Sequence, residues 1–201
     1  MKLSVRMVVV LTSVGLLSGS FLATVGRLTK ERIELNKQRE IEAAIIKVVP
    51  GTESSAKLYE EKDFKVYGGK NQDGTLIGYG ILVSGIGFQD KITLMLGSDI
   101  SLTKISRLEI IEQKETPGLG AKIEDEDVFL KFWEGRDCSR PLSLRKPAVR
   151  TAEELAASEV NTITGATISS ESVLKIVNDS VERLRRLINE GQIQKGEQDA
   201  H

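Results

Sequence analysis

From Met7 to Gly26 the chain reads MVVVLTSVGLLSGSFLATVG, with no charged residue. A helix of about 20 such residues spans the ~30 Å hydrocarbon core of a bilayer, where every backbone polar group must be satisfied within the segment. Lys2 and Arg6 precede the run, which favours a cytoplasmic N-terminus. Arg27, Lys30 and Arg32 follow it and pull the other way, although Glu31 and Glu34 lie among them. A cleaved signal peptide is the other reading, with Ser18 and Ser20 as small cleavage-site residues. The length of the run favours an uncleaved, single-pass anchor in the cell (inner) membrane. No cysteine stands near its end, which excludes a lipoprotein anchor. On either reading the bulk of the chain is extracytoplasmic.

The remainder of the chain is long enough for one domain with its own core: there are 201 residues in all, 40% of them hydrophobic. Lys and Arg total 28 against 29 Asp and Glu, for a net charge of -1, so no basic field recruits nucleic acid. One cysteine, Cys138, excludes an internal disulfide and a self-contained iron–sulfur cluster. The one histidine is His201, the last residue. A zinc site or a Ser-His-Asp triad therefore has almost no material, and neither a metal nor a catalytic residue is assigned. Redox chemistry in this chain requires an organic cofactor.

The pattern divides the chain into an anchor (1–26), an amphipathic connecting helix (27–50), a mixed helix/sheet domain (51–191) and a polar tail (192–201). In the connecting helix Ile33, Ile41, Ile45 and Val48 recur at near-helical spacing until Pro50-Gly51. Lys57–Tyr67 and Thr75–Val83 read as strands about an Asn71–Gly74 turn, followed by strands at Lys91–Leu96 and Ile105–Glu112. Gly78, Gly80, Gly85 and Gly87 suggest bulges or close backbone approach. Asp125–Trp133 reads as a short helix burying Val128, Phe129 and Phe132, and Glu153–Ala157 as another. A brief strand is expected at Val160. Ser169–Glu190 is the clearest helix, with an apolar stripe of Val173, Ile176, Val177, Val181, Leu184 and Leu187. Strands mix with helices without strict alternation, which predicts an α+β fold.

Two glycine-containing segments are the candidate sites. Thr164-Gly165-Ala166-Thr167 lies between the Val160 strand and the long helix. Helix N-termini present unpaired N–H groups and a partial positive charge, which suits a phosphate. Ordinary capping by Thr167, Ser169 or Ser170 explains the same residues without a ligand. The segment is no Walker loop, since no Lys follows. Glu115-Thr116-Pro117-Gly118-Leu119-Gly120 comes after a strand. Pro-Gly is a turn by itself, yet this one adds a hydroxyl and a carboxylate to backbone that can lie flat against a planar ring.

Together, the apolar N-terminal run, Gly78-Tyr79-Gly80, ETPGLGAKI and TGATISS resemble an FMN-binding family. That family contains the RnfG subunits of Rnf ion-translocating electron-transport complexes and the related NqrC subunits of sodium-pumping quinone reductases. The compact length looks more like RnfG. The resemblance implies FMN joined by a phosphoester to Thr167, made by a flavin transferase from FAD. Glu115 to Gly120 would then line the isoalloxazine ring, with Thr116 and the peptides near Gly118 at its polar edge. The family's attachment pattern begins with aspartate where this chain has Asn161. The implied function is electron relay through covalent FMN, in a complex coupling electron flow between ferredoxin and NAD to Na⁺ or H⁺ movement. The anchor, uncharged and alone, offers no ion pathway, so pumping falls to partner subunits. Two alternatives stay open: an NqrC-like or other FMN-domain redox protein, and a non-catalytic anchored assembly module in which both motifs are only turns.

Overall fold

The structure, a computed structural model, describes residues 3–193. Lys2, His201 and the expected tail beyond Ile193 lie outside the described residues. Helix α1 (Leu3–Val48) is long and apolar enough to cross a membrane. Its described side chains through Glu40 are exposed. The hydroxyls of Ser13 and Thr24 donate to the carbonyls of Val9 and Ser20, each at 2.8 Å, so these polar groups are satisfied within the helix.

The compact domain starts at Ile41. Its centre is a five-stranded antiparallel meander: β1 (Ser54–Glu61), β2 (Phe64–Lys70), β3 (Leu76–Ile86), β4 (Lys91–Asp99) and β5 (Ile105–Glu112). The turn before β3 forms as the sequence predicts. Asn71 Oδ1 accepts the Asp73 and Thr75 amides at 3.0 and 2.9 Å, and Gly74 has φ +78°. The expected single strand over Lys57–Tyr67 is instead two. The chain reverses at Lys62-Asp63, where Glu61 pairs with Phe64. That turn carries no Gly, Pro or Asn, and Asp63 is its one turn-favouring residue, a weaker local sign than Asn71–Gly74.

Side-chain alternation decides what each face of the sheet meets. Tyr79, Ile81 and Val83 of β3, with Ile92, Leu94 and Leu96 of β4, share one core with helix α2 (Thr167–Asn189). All six residues of the expected α2 stripe are buried there. At Gly85 a side chain would collide with Ile176, so glycine lets α2 lie close to β3. On the opposite face Leu82 and Met95 pack against Ala44, Ile45, Val48 and Val49 at the end of α1.

The segment between β5 and α2 is mostly irregular. Asp125–Trp133 is not one short helix: Asp125 Oδ1 accepts the Asp127 and Val128 amides in a turn, and a 3-10 helix covers only Leu130–Trp133. Val128 is exposed, whereas Phe129, Leu130, Phe132 and Trp133 are buried. The helix expected at Glu153–Ala157 is a single 3-10 turn, Ala152–Glu154. The Glu154 carboxylate accepts the Arg150 and Thr151 amides at 3.1 and 3.0 Å, a capping box that opens the turn, and the chain turns extended at Leu155. β6 (Ser143–Arg145) and β7 (Glu159–Asn161) form a short parallel pair, and β7 leads directly to α2.

Candidate functional site

β7 ends at Asn161 because its partner β6 ends opposite, at Arg145. Thr164 therefore lies in the following turn, exposed, between the strand and the helix. Gly165 has φ +84°, a left-handed conformation that glycine adopts without steric cost. The Ala166 amide donates to the Ile163 carbonyl at 3.0 Å, and α2 begins at Thr167.

None of Thr167, Ser169 and Ser170 caps the helix. Ala166 is the N-cap and makes no side-chain bond. The first bond into the helix runs from the Ser170 amide to the Ala166 carbonyl. The amides of Thr167, Ile168 and Ser169 have no acceptor among the described residues. The serines are committed elsewhere. Ser170 Oγ accepts the Ile163 amide and donates to the Ala166 carbonyl, both at 3.1 Å, which stitches the turn shut. Ser169 Oγ donates to Glu115 Oε2 at 2.6 Å. The Thr167 hydroxyl has no protein partner among the described residues, and its side chain is half-buried. A hydroxyl with an unengaged oxygen thus stands at a helix terminus whose open N–H groups favour an anion.

The second motif folds against this terminus. The Leu119 amide donates to the Thr116 carbonyl at 3.1 Å, and Gly118 has φ +75°. Proline followed by a residue with positive φ is the signature of a type II turn. Glu115, only 4% exposed, directs its carboxylate inward. Oε1 accepts the Phe88 and Gln89 amides at 2.8 and 3.0 Å, while Oε2 accepts Ser169. Gly87 and Gly120 make the room: a Cβ at either would collide with that carboxylate. Leu119 Cδ2 lies 3.5 Å from where Gly165 would carry a side chain. Two segments far apart in sequence thus meet, edged by the exposed apolar side chains of Phe88, Leu119 and Ile168.

Beside Thr164 opens a cavity of about 310 Å³, near the small end of the ~300–1,000 Å³ usual for ligand pockets. Val128, Phe132, Val149 and Ile163 supply its apolar wall. Lys122 and Arg150 also line it, and neither side chain has an ion-pair partner among the described residues. Thr162 Oγ1 is buried there without a hydrogen-bond partner. Asn161 closes one side: its Oδ1 accepts the Val149 and Thr162 amides at 2.9 and 3.0 Å, and its Nδ2 donates to the Val149 carbonyl at 3.0 Å. Next to this loop, the amide bonds from Thr151 and Arg150 hold the Glu154 carboxyl below its ordinary range.

Sequence reasoning found both motifs but missed Arg150, Val149 and Thr162, which come from loops without a motif; Lys122 lies within ETPGLGAKI, on a 3-10 helix over Gly120–Glu124, and its place beside Thr164 was not legible. It also missed the separate duties of Ser169 and Ser170. A pair of serines one turn into a helix was the available signal.

A model of the FMN-binding domain family matches residues 87–182, which include both motifs. The chain is 28% identical over 116 residues to the G subunit of the ion-translocating oxidoreductase complex of Methanosarcina acetivorans. That match covers 58% of this chain and spans 56% of the Methanosarcina protein. It is 29% identical over 157 residues to the G subunit of the Na⁺-translocating ferredoxin:NAD⁺ oxidoreductase complex of Acetobacterium woodii, covering 76% of this chain and 71% of that one. Among solved structures, NqrC of Shewanella oneidensis superposes with a TM-score of 0.56 at 20% identity, over 73% of this chain and 72% of its own. The C subunit of the Na⁺-translocating NADH-quinone reductase of Parabacteroides distasonis reaches a TM-score of 0.61 at 21% identity, over 81% and 96%.

Proposed function

We propose that this RnfG-like chain, which carries an FMN-binding domain, is a membrane-anchored electron-relay subunit bearing FMN on Thr167. The observation that carries the reading is the open N-terminus of α2, with the unengaged Thr167 hydroxyl on it and the Pro117-Gly118 turn packed beside it. The residues present fit the group. The three free amides of Thr167, Ile168 and Ser169 suit a phosphodiester. Leu119, Val128 and Ile168 offer apolar surface to a planar ring. Lys122 and Arg150 bring positive charge to the cavity beside Thr164, where the one carboxylate, Asp127, is paired with Lys131 at 3.5 Å.

Attachment uses FAD and a flavin transferase. Thr167 would supply the oxygen joined to the phosphorus of the FMN half, with AMP as the leaving group and the hydroxyl proton released, and the free amides of Thr167, Ile168 and Ser169 would hold the resulting phosphodiester. No electron changes hands. Once bound, the flavin accepts and donates electrons, while the chain orients it and tunes it. The complex of which this is one subunit passes electrons between ferredoxin and NAD and couples them to Na⁺ or H⁺ movement. The domain lies outside the cytoplasm, held by α1 in the cell membrane beside the other membrane and redox subunits. The NqrC-like alternative is favoured by fold alone, whereas the sequence relatives are G subunits.

The test is full-length chain expressed with a flavin transferase, read by flavin fluorescence on a denaturing gel, intact mass and peptide mapping. Wild type gains the mass of FMN less one water. Thr167→Val keeps the branched shape without the nucleophile, so it loses covalent flavin while remaining folded; Thr164→Val retains it. FMN on Thr164, or a flavinylated Thr167→Val, overturns the assignment. A wild-type chain that never takes flavin returns the assembly-module reading.

A further inference from the structure

Glu115 is anomalous in its setting. It is a carboxylate at 4% exposure with no Lys or Arg within ion-pair distance among the described residues. Buried charges are normally paired, because removing them from water is expensive. Here the compensation comes from neutral donors: the amides of Phe88 and Gln89 and the hydroxyl of Ser169. These donors belong to the β3–β4 turn and to the first turn of α2, while Glu115 itself opens the Pro117-Gly118 turn, so three segments meet at one carboxylate. Gly87 and Gly120 lack the side chains that would displace it. A side chain that only joined loops could be a neutral amide. A carboxylate, solvated by neutral donors but paired with no cation among the described residues, adds a negative charge next to the first turn of α2.

We propose that Glu115 is a positioning residue that clamps the Pro117-Gly118 turn to the start of α2 and lowers the midpoint potential of the flavin carried there. This rests on Thr167 bearing FMN and adds to it a second role for the same corner of the fold. Reduction adds negative charge to the ring, and a nearby buried anion opposes that addition more strongly than the same charge in water. The Ser169 hydroxyl, donating to Oε2, withdraws part of that charge. The two side chains therefore act in opposite directions. Glu115→Gln keeps the size and one acceptor oxygen and removes the charge, so it raises the potential. Ser169→Ala leaves the charge and removes a donor, so it lowers the potential.

The experiment is a spectroelectrochemical titration of the full-length flavinylated protein in detergent, for wild type, Glu115→Gln and Ser169→Ala, with the attached flavin fraction measured in parallel. A positive shift for Glu115→Gln and a negative shift for Ser169→Ala support the proposal. Shifts of the same sign, or none, in folded and flavinylated variants overturn it and reduce Glu115 to a structural clamp. If Glu115→Gln does not fold, the sign of the Ser169→Ala shift decides alone. A wild-type protein without covalent flavin would be a failure of the Thr167 assignment, distinguishable because it precedes any comparison of variants.

Discussion

Asn161→Asp installs the residue that the family resemblance expects at the head of the attachment pattern, and the geometry of Asn161 gives that change a cost. The side chain is 3% exposed and bonds in both senses to one residue: Oδ1 accepts the Val149 amide, and Nδ2 donates to the Val149 carbonyl at 3.0 Å. An aspartate places a second carboxylate oxygen against that carbonyl. Losing the donor and leaving two facing acceptors costs about 1–3 kcal/mol, and burying the charge adds to it. The two amides already bound to Oδ1 gain from a charged acceptor and return about 1 kcal/mol. The net is about 2 kcal/mol of lost stability, or a Tm lower by roughly 4–8 °C for a chain of this size. The protonated acid can donate to the Val149 carbonyl, so the neutral form is favoured in the folded state and the folded pKa lies above the unfolded one. The deficit is therefore smallest below about pH 4 and grows as pH rises through the folded pKa. Trp133, the one tryptophan and fully buried, reports unfolding of the domain by its fluorescence in the detergent-solubilised protein. A wild-type Tm at pH 7, or a deficit that does not shrink at low pH, would refute the reasoning. Attachment to Thr167 then falls only as far as the Val149 loop loosens.

Two further outcomes rest on named positions. At Gly118 a Cβ meets nothing within 4 Å, yet φ is +75°. Gly118→Ala therefore costs only backbone strain, roughly 1–2 kcal/mol, and Gly118→Val costs more. Both keep the flavin on Thr167 with an altered absorption spectrum, and an unchanged spectrum in a folded variant removes the turn from the site. Burial raises the Cys138 thiol pKa to about 11. It should resist an impermeant thiol reagent in intact cells until the protein unfolds, and the folded state should lose stability as pH rises from its ordinary 9.0 through that value. A cysteine introduced at exposed Ser139 should instead label from outside. Labelling only after lysis reverses the proposed topology.

Local chemistry made part of this protein legible in its sequence. An uncharged run of bilayer length needs no partner to be recognised, because it satisfies its own backbone bonds. The α2 stripe repeats with the helical period, and all its members are buried. Asn71–Gly74 and Pro117-Gly118 are turns because their residues prefer those backbone angles. The reversal at Lys62-Asp63 and the length of the 3-10 turns between Gly120 and Glu154 were not legible, since their local signals, a lone Asp63 and the Thr151–Glu154 capping box, are weak or mark only a start, and pairing or packing set the rest. The same division runs through the site. Thr167 and the Pro-Gly turn could be named from motifs. That Ser169 reaches Glu115, that no side chain caps α2, and that Lys122 and Arg150 line a cavity beside Thr164 depend on segments brought together only by folding. A hydrogen bond between residues 115 and 169 leaves no periodicity for a sequence to display; it exists because the sheet and α2 share one core, which sets the Pro-Gly turn against the helix end.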